Sequence, residues 1–165
     1  MPDSHSVLNR ILFVCTGNVC RSPMAAALFS NRLPDDAGYI VESAGTHGLD
    51  GRPAASMAVE LMRERGVDLS RHRARTVTPG LLNTFDLIWT MERAQQKWIQ
   101  QRMPSIQGRI RTLGRGRNPN IPDPMGGSRA DFSRVLTDIE TGLAPWLTRF
   151  PASATSLPTE QHESA

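Results

Sequence analysis

Arg10–Phe29 reads RILFVCTGNVCRSPMAAALF, and three kinds of segment follow one another in it. Arg10–Val14 (RILFV) is an apolar run of strand length, the pattern of a strand buried on both faces. A short stretch holding Gly17 and Asn18 interrupts it. From Pro23 apolar residues return at helical spacing, with Met24, Ala27, Leu28 and Phe29 sharing a face. Ser22 before Pro23 is a helix start signal, serine as N-cap and proline as first helical residue. A strand, a tight loop and a helix in that order form the unit at which open α/β folds hold ligands.

The same alternation continues along the chain. Tyr39–Ala44 (YIVESA), Asp86–Met91 (DLIWTM) and Arg109–Leu113 (RIRTL) read as three further strands. Between them lie a helix from about Ala54 to Arg65, closed by Gly66, and a helix over Glu92–Arg102 before Pro104. Gly114–Ser128 reads as a loop. Ala130–Phe150 reads as a long helix carrying Phe132, Val135, Leu136, Ile139, Leu143 and Leu147, with a kink or break expected at Pro145. Strands alternating with helices at this spacing indicate α/β architecture, a parallel sheet covered by helices on both faces. The expected single domain spans residues 8–150. Residues 151–165 (PASATSLPTEQHESA) are polar and read as a disordered tail.

Composition narrows the function. At 165 residues the chain fits one core. No apolar run is long enough for a transmembrane helix, and Met1–Arg10 lacks the apolar centre of a secretory signal. Two cysteines, Cys15 and Cys20, make neither a disulfide scaffold nor a structural zinc site, so no metal and a reducing, cytoplasmic setting are expected. The net charge is +3, from 19 basic and 16 acidic residues. Apart from the loose groups Arg71, Arg73, Arg75 and Arg109, Arg111, Arg115, Arg117, the arginines are scattered. Aromatics are 5%, too few for a base-stacking platform, so no nucleic-acid partner is expected.

Cys15 and Arg21 are spaced Cys-x5-Arg across Thr16, Gly17, Asn18, Val19 and Cys20. In a chain with 18 arginines the spacing alone is weak, and its place between a strand and a helix strengthens it. The loop's backbone N–H groups and the helix N-terminus make an anion site. A cysteine among those donors and beside a guanidinium is expected as a thiolate, fit to attack phosphorus. Arg21 can hold two phosphoryl oxygens in a planar fork, which a lysine cannot do. Gly17 lets the backbone approach an oxyanion, and Asn18 tolerates left-handed dihedrals where the loop curls. Ser22 can cap the helix or give its hydroxyl to the Cys15 sulfur.

VCTGNVCRSPMAAALF resembles the active-site segment of the low-molecular-weight protein tyrosine phosphatases, and the likeness continues through SAGTHG (Ser43–Gly48), HRARTVTPGLLNTFDLIWTME (His72–Glu92) and IPDPMGGS (Ile121–Ser128). The SAG, DLIWTME, GRI and IPDP stretches are most similar to bacterial members serving exopolysaccharide and capsule export. The resemblance implies a four-stranded parallel sheet, no cofactor, Cys15 as nucleophile, Arg21 as phosphate clamp and Asp123 as general acid. Chemistry independently requires an acid, since a tyrosine leaving group has a pKa of about 10. Asp123-Pro124 alone reads more often as a turn. The resemblance further implies that Asn18, Ser22, Ser43 and His72 brace the loop. It offers Cys20 as a disulfide partner for Cys15, against the plain alternative of a small residue packed beneath the loop. The implied substrate is a phosphotyrosine protein, with a bacterial tyrosine autokinase as candidate.

One departure stands out. Many relatives carry an aromatic pair after Asp-Pro, where this chain has Met125 and Gly126. His47 and Leu49 are candidates for the opposite wall. Gly126-Gly127 is shared with the similar protein arginine phosphatases, while the apolar Val19 in the loop suits a phenyl ring. Arsenate reductase, an oxidoreductase with the same loop, needs further cysteines to relay a disulfide, and no cysteine follows Cys20.

Overall fold

A computed structural model describes residues 8–150; the expected tail at 151–165 lies outside the described residues. Four strands, β1 (Arg10–Cys15), β2 (Ile40–Gly45), β3 (Leu87–Thr90) and β4 (Ile110–Thr112), form one sheet in the order β2-β1-β3-β4. All three pairings are parallel, with Val14 opposite Ala44 on one side and Thr90 on the other. The chain leaves β1 towards one neighbour and later returns to its other side at β3. The carboxyl end of β1 is therefore a topological switch point, where such sheets open a crevice.

Central position explains the uninterrupted apolar run. Ile11, Phe13 and Cys15 face one core, with α1 (Arg21–Arg32), α2 (Ser56–Glu64) and α5 (Arg129–Leu147) packed on it. Leu12 and Val14 face the other, under α3 (Pro79–Asn83), α4 (Arg93–Arg102) and a 3-10 turn at Pro104–Arg109. Phe13, Phe29 and Trp89 pack ring on ring in the first core, with centroids 5.1–5.8 Å apart. Helices thus cover both faces, as the alternation of elements predicts.

Two local readings are corrected. The helix expected from Pro23 begins at Arg21, with Cys20 as an N-cap that makes no side-chain capping bond, so Ser22 lies inside the first turn and is not the cap. Pro145 does not break α5, which runs on to Leu147. It stands in the last turn, so only two residues of α5 follow it, and Trp146 directly beyond it packs on Trp89 at 5.0 Å, a contact that holds the end of the helix on the core. The short α3 and the 3-10 turn have no counterpart in the sequence reading, since neither is long enough to show a period. Gly66 does close α2, at φ +74°.

Candidate active site

The loop from Cys15 to Arg21 joins β1 to α1, and its carbonyls are tied outward. Cys15 O, Thr16 O and Gly17 O accept from the amides of Thr46, His47 and Leu49 at 2.9–3.0 Å, and Val19 O accepts from Ala55 N at 2.8 Å. Asn18 O accepts from His72 Nε2 at 2.7 Å. Among the described residues the amides of Gly17, Val19, Cys20 and Arg21 have no protein acceptor, whereas Asn18 N reaches Cys15 Sγ at 3.3 Å. Carbonyls held out and amides left over make a concave, electropositive lining.

Asn18 is the pivot. It is fully buried and has φ +59°, the one non-glycine residue in the left-handed region among the described residues. Its Nδ2 donates to Ser22 Oγ at 2.8 Å and Ser43 Oγ at 2.9 Å, and its Oδ1 accepts from Arg75 N at 2.9 Å. Every polar atom of the side chain is used, as burial requires. Because Ser22 Oγ accepts from Asn18, its own proton is left for Cys15 Sγ, 3.0 Å away, with the Ala44 carbonyl as the more distant acceptor at 3.4 Å. Ser43 arrives from β2 and His72 from the loop after α2. The bracing set named from sequence thus comes together around one asparagine.

His72 Nε2 faces a carbonyl, which only accepts, so that nitrogen carries the proton. Burial pushes the imidazole below its ordinary value, the bond to Asn18 O opposes this, and Arg73 and Arg75 add to the lowering. The SAGTHG stretch owes its glycines to close approach. A Cβ at Gly45 would sit 2.3 Å from Thr16 O, and one at Gly48 would sit 2.4 Å from Arg75 O. At Gly17 a Cβ meets nothing nearer than Leu49 at 3.6 Å, so the protein's own packing does not demand a glycine there.

Arg21 is 2% exposed. Its Nη1 donates to Ile121 O at 2.9 Å and forms an ion pair with Glu92. Its Nη2 lies 3.6 Å from Asp123 Oδ2, beyond hydrogen-bond length. Nη1 is thus clamped, Nε and Nη2 make no hydrogen bond among the described residues, and Arg21 borders a cavity of about 290 Å³ with Cys15, Val19, His47, Leu49, Asp123 and Met125. Asp123 reaches that cavity from the Gly114–Ser128 loop. Its side chain is 50% exposed and its Oδ1 accepts from Met125 N at 3.1 Å. Met125 and Leu49 are exposed apolar residues that both border the opening.

Cys20 is buried, and its Sγ lies 2.9 Å from Met125 Sδ. Burial first, then Cys15 and Asp123, push its thiol up to about 12 against the pull of Arg21. Both cysteines are free. No group of three or more His, Cys, Asp or Glu capable of holding a metal exists among the described residues.

Glu92, Gln95, Ile121 and Arg75, whose amide closes the Asn18 network, escaped the sequence reading as site residues. Glu92 caps α4 in a capping box with Gln95, whose Nε2 also donates to Thr16 Oγ1 at 3.1 Å. The available signal was position, a Glu-x-x-Gln pair straight after a parallel strand. Ile121 contributes only its carbonyl, for which no side-chain signal exists.

The arrangement combines a sulfur between two hydrogen-bond donors, a ring of free amides, half of a guanidinium fork and a carboxylate at the mouth. Such a site can bind a tetrahedral dianion and attack it in line. Comparison with known proteins agrees. The family model described as low molecular weight phosphotyrosine protein phosphatase matches residues 10–157. The chain is 42% identical over 146 residues to the probable low molecular weight protein-tyrosine-phosphatase EpsP of Ralstonia solanacearum, covering 88% of this chain and 99% of that one. The structure of Vibrio vulnificus Wzb with benzylphosphonate superposes with a TM-score of 0.80 at 31% identity, over 86% of this chain and 99% of its own. YwlE, an arginine phosphatase solved with a phosphorylated active-site serine, gives 0.78 at 30% identity, over 85% of this chain and 94% of its own. The protein belongs to the low molecular weight phosphotyrosine protein phosphatase family.

Proposed function

We infer that this phosphatase hydrolyses phosphotyrosine in proteins through a cysteinyl-phosphate intermediate. The observation that carries the reading is the Cys15 sulfur, held by Ser22 Oγ and Asn18 N in the cavity that Arg21 borders. The Cys15 thiolate attacks phosphorus and the phosphorus–oxygen bond to the ring breaks. Asp123 gives its proton to the departing phenolic oxygen. Water then attacks the cysteinyl-phosphate, Asp123 takes a proton from it, and the sulfur leaves as thiolate with the Ser22 hydroxyl stabilising it. The loop amides from Thr16 to Arg21 and the free edge of Arg21 meet the equatorial oxygens as charge redistributes, and the bare Gly17 leaves room for them. Glu92 and Ile121 O keep that edge aimed. The amides and guanidinium supply the positive potential, so no cofactor is needed.

The apolar side chains of Val19, Leu49 and Met125 favour a phenyl ring over a charged guanidinium leaving side. We place the enzyme in the cytoplasm, where two thiols stay reduced. No helix among the described residues is long and apolar enough to cross a membrane. The similarity to EpsP and Wzb supports a tyrosine autokinase of exopolysaccharide synthesis or export as the physiological substrate. The test compares kcat/KM on a phosphotyrosine peptide with that on the same peptide carrying phosphoarginine. A preference for phosphotyrosine is expected; a preference for phosphoarginine would overturn the assignment.

A further inference from the structure

From Arg93 to Pro122 the chain carries seven basic residues and no aspartate or glutamate, leaving 12 basic against 16 acidic residues in the other 135. These thirty residues make up one side of the molecule: α4, the 3-10 turn, the edge strand β4 and the loop leading to Asp123. All seven cations are exposed. Among the described residues none of the seven joins an ion pair, whereas of the twelve arginines outside the stretch six are paired: Arg21, Arg32, Arg65, Arg75, Arg129 and Arg134. The acids that bracket the stretch, Glu92 and Asp123, both turn to Arg21 and neutralise nothing outside. Seven unpaired like charges repel one another, and an anionic partner relieves that repulsion.

This side is continuous with the catalytic cavity. His47, on the cavity wall, packs edge-on against Trp98 of α4 with centroids 5.4 Å apart. The Arg102 guanidinium lies 3.7 Å over the Trp98 ring. His47, Trp98 and Arg102 therefore form a ledge running from the cavity onto the basic side. At the start of α4, Arg93 N donates to Asn120 Oδ1 at 2.9 Å, which ties down the loop bearing Arg115 and Arg117.

We propose that this side docks an acidic segment of the phosphoprotein substrate, whose carboxylates or further phosphates flank the phosphotyrosine and cross the His47–Trp98–Arg102 ledge. The proposal rests on the phosphotyrosine reading of the cavity. A nucleic acid fits less well. Trp98 is the only aromatic residue of the stretch and Arg102 already covers its face, so no platform is left for bases.

The test uses three phosphotyrosine peptides of equal length: one neutral, one with flanking Asp and Glu, and one with a second phosphotyrosine. Each is measured on the wild type and on the variant Lys97→Glu/Arg102→Glu/Arg115→Glu/Arg117→Glu, as ratios to free phosphotyrosine, which is too small to span the ledge. In the wild type both anionic peptides should exceed the neutral one about tenfold in kcat/KM through KM, and salt should erode the advantage. The variant should erase it. If only the second phosphotyrosine gives the advantage, the surface reads phosphate; if both anionic peptides give it, the surface reads negative charge. Equal use of neutral and anionic peptides by the wild type, or an advantage that survives in the variant, overturns the proposal. Tighter binding of a single-stranded oligonucleotide than of an acidic peptide with the same charge also overturns it. Failure to hydrolyse free phosphotyrosine would sink the catalytic reading separately. Docking would then be read from anisotropy of the labelled acidic peptide, which must still bind more weakly to the variant.

Discussion

The cavity is built from two loops of opposite character. In the loop from Cys15 to Ser22 the pivot side chain is fully buried, and the carbonyls from Cys15 to Val19 each have a named partner. The Gly114–Ser128 loop is mostly exposed, and its Asp123 is held by one hydrogen bond to Met125 N and a long approach to Arg21. Binding a dianion requires donors fixed before the charge arrives, and burial with full hydrogen bonding provides that fixity. Donating a proton and then accepting one from water requires access to solvent, which an exposed carboxylate has. The contrast predicts that changes in the first loop affect both stability and catalysis, and changes at Asp123 affect catalysis alone.

Cys15→Ser is the largest expected effect. Its hydroxyl stays protonated in the same pocket, so turnover of p-nitrophenyl phosphate should vanish while circular dichroism reports an intact fold. Substantial turnover by the folded variant would remove Cys15 as nucleophile. Asp123→Asn should lower the phosphorylation step about 10²–10⁴-fold for phosphotyrosine and much less for aryl phosphates with acidic phenols. Stopped-flow kinetics across a leaving-group series checks this, and an equal loss for all substrates would take the acid role away from Asp123. The melting temperature of this variant should match wild type within the scatter of exposed substitutions, about 0.5 kcal/mol. Arg21→Lys keeps a cation but loses the fork, and kcat should fall about 10²–10³-fold; a near-normal kcat would mean that the clamp lies elsewhere.

Asn18 sharpens the comparison through stability. Asn18→Ala removes three side-chain hydrogen bonds of a buried network and places alanine at φ +59°, a loss of about 2–4 kcal/mol in urea denaturation. Asn18→Gly should recover about 1 kcal/mol of it, the left-handed term alone. If neither variant loses stability, the rigid-loop account fails.

The smallest effect is a pH dependence. His72 titrates in the folded protein below its ordinary 6.5. The unfolded chain therefore takes up the proton first, and stability rises with pH between the folded value and 6.5. The contribution is complete above 6.5 and is lost as pH falls through the folded value. Thermal melts from neutral to mildly acid pH should show this slope in wild type and a flatter one in His72→Asn.

The sheet, its parallel sense and the Cys15–Arg21 loop were legible in the chain because their signals are local. An unbroken apolar run marks β1, and helical spacing from Met24 marks α1. Cys15, Arg21 and the glycine-asparagine curl lie within seven residues. Helix ends were less legible, since the backbone of Arg21 enters α1 ahead of the Ser-Pro signal and α3 is too short to carry a period. The bracing set of Ser43 and His72 came from resemblance alone; nothing in the neighbourhood of His72 separates it from a surface histidine.

Sequence by itself determined a covered parallel α/β sheet and a cysteine–arginine loop at the end of its first strand, because hydrophobic period and loop chemistry act between near neighbours. Only the tertiary structure decided which distant groups finish the site. Glu92 and the Ile121 carbonyl clamp one corner of Arg21, Arg75 closes the asparagine network, and Trp98 carries the cavity wall out to Arg102. These residues lie from about fifty to one hundred positions away from the loop they serve. Parallel pairing gathers the carboxyl ends of all the strands on one edge, and that edge is a property of the sheet, visible in no single segment of the chain.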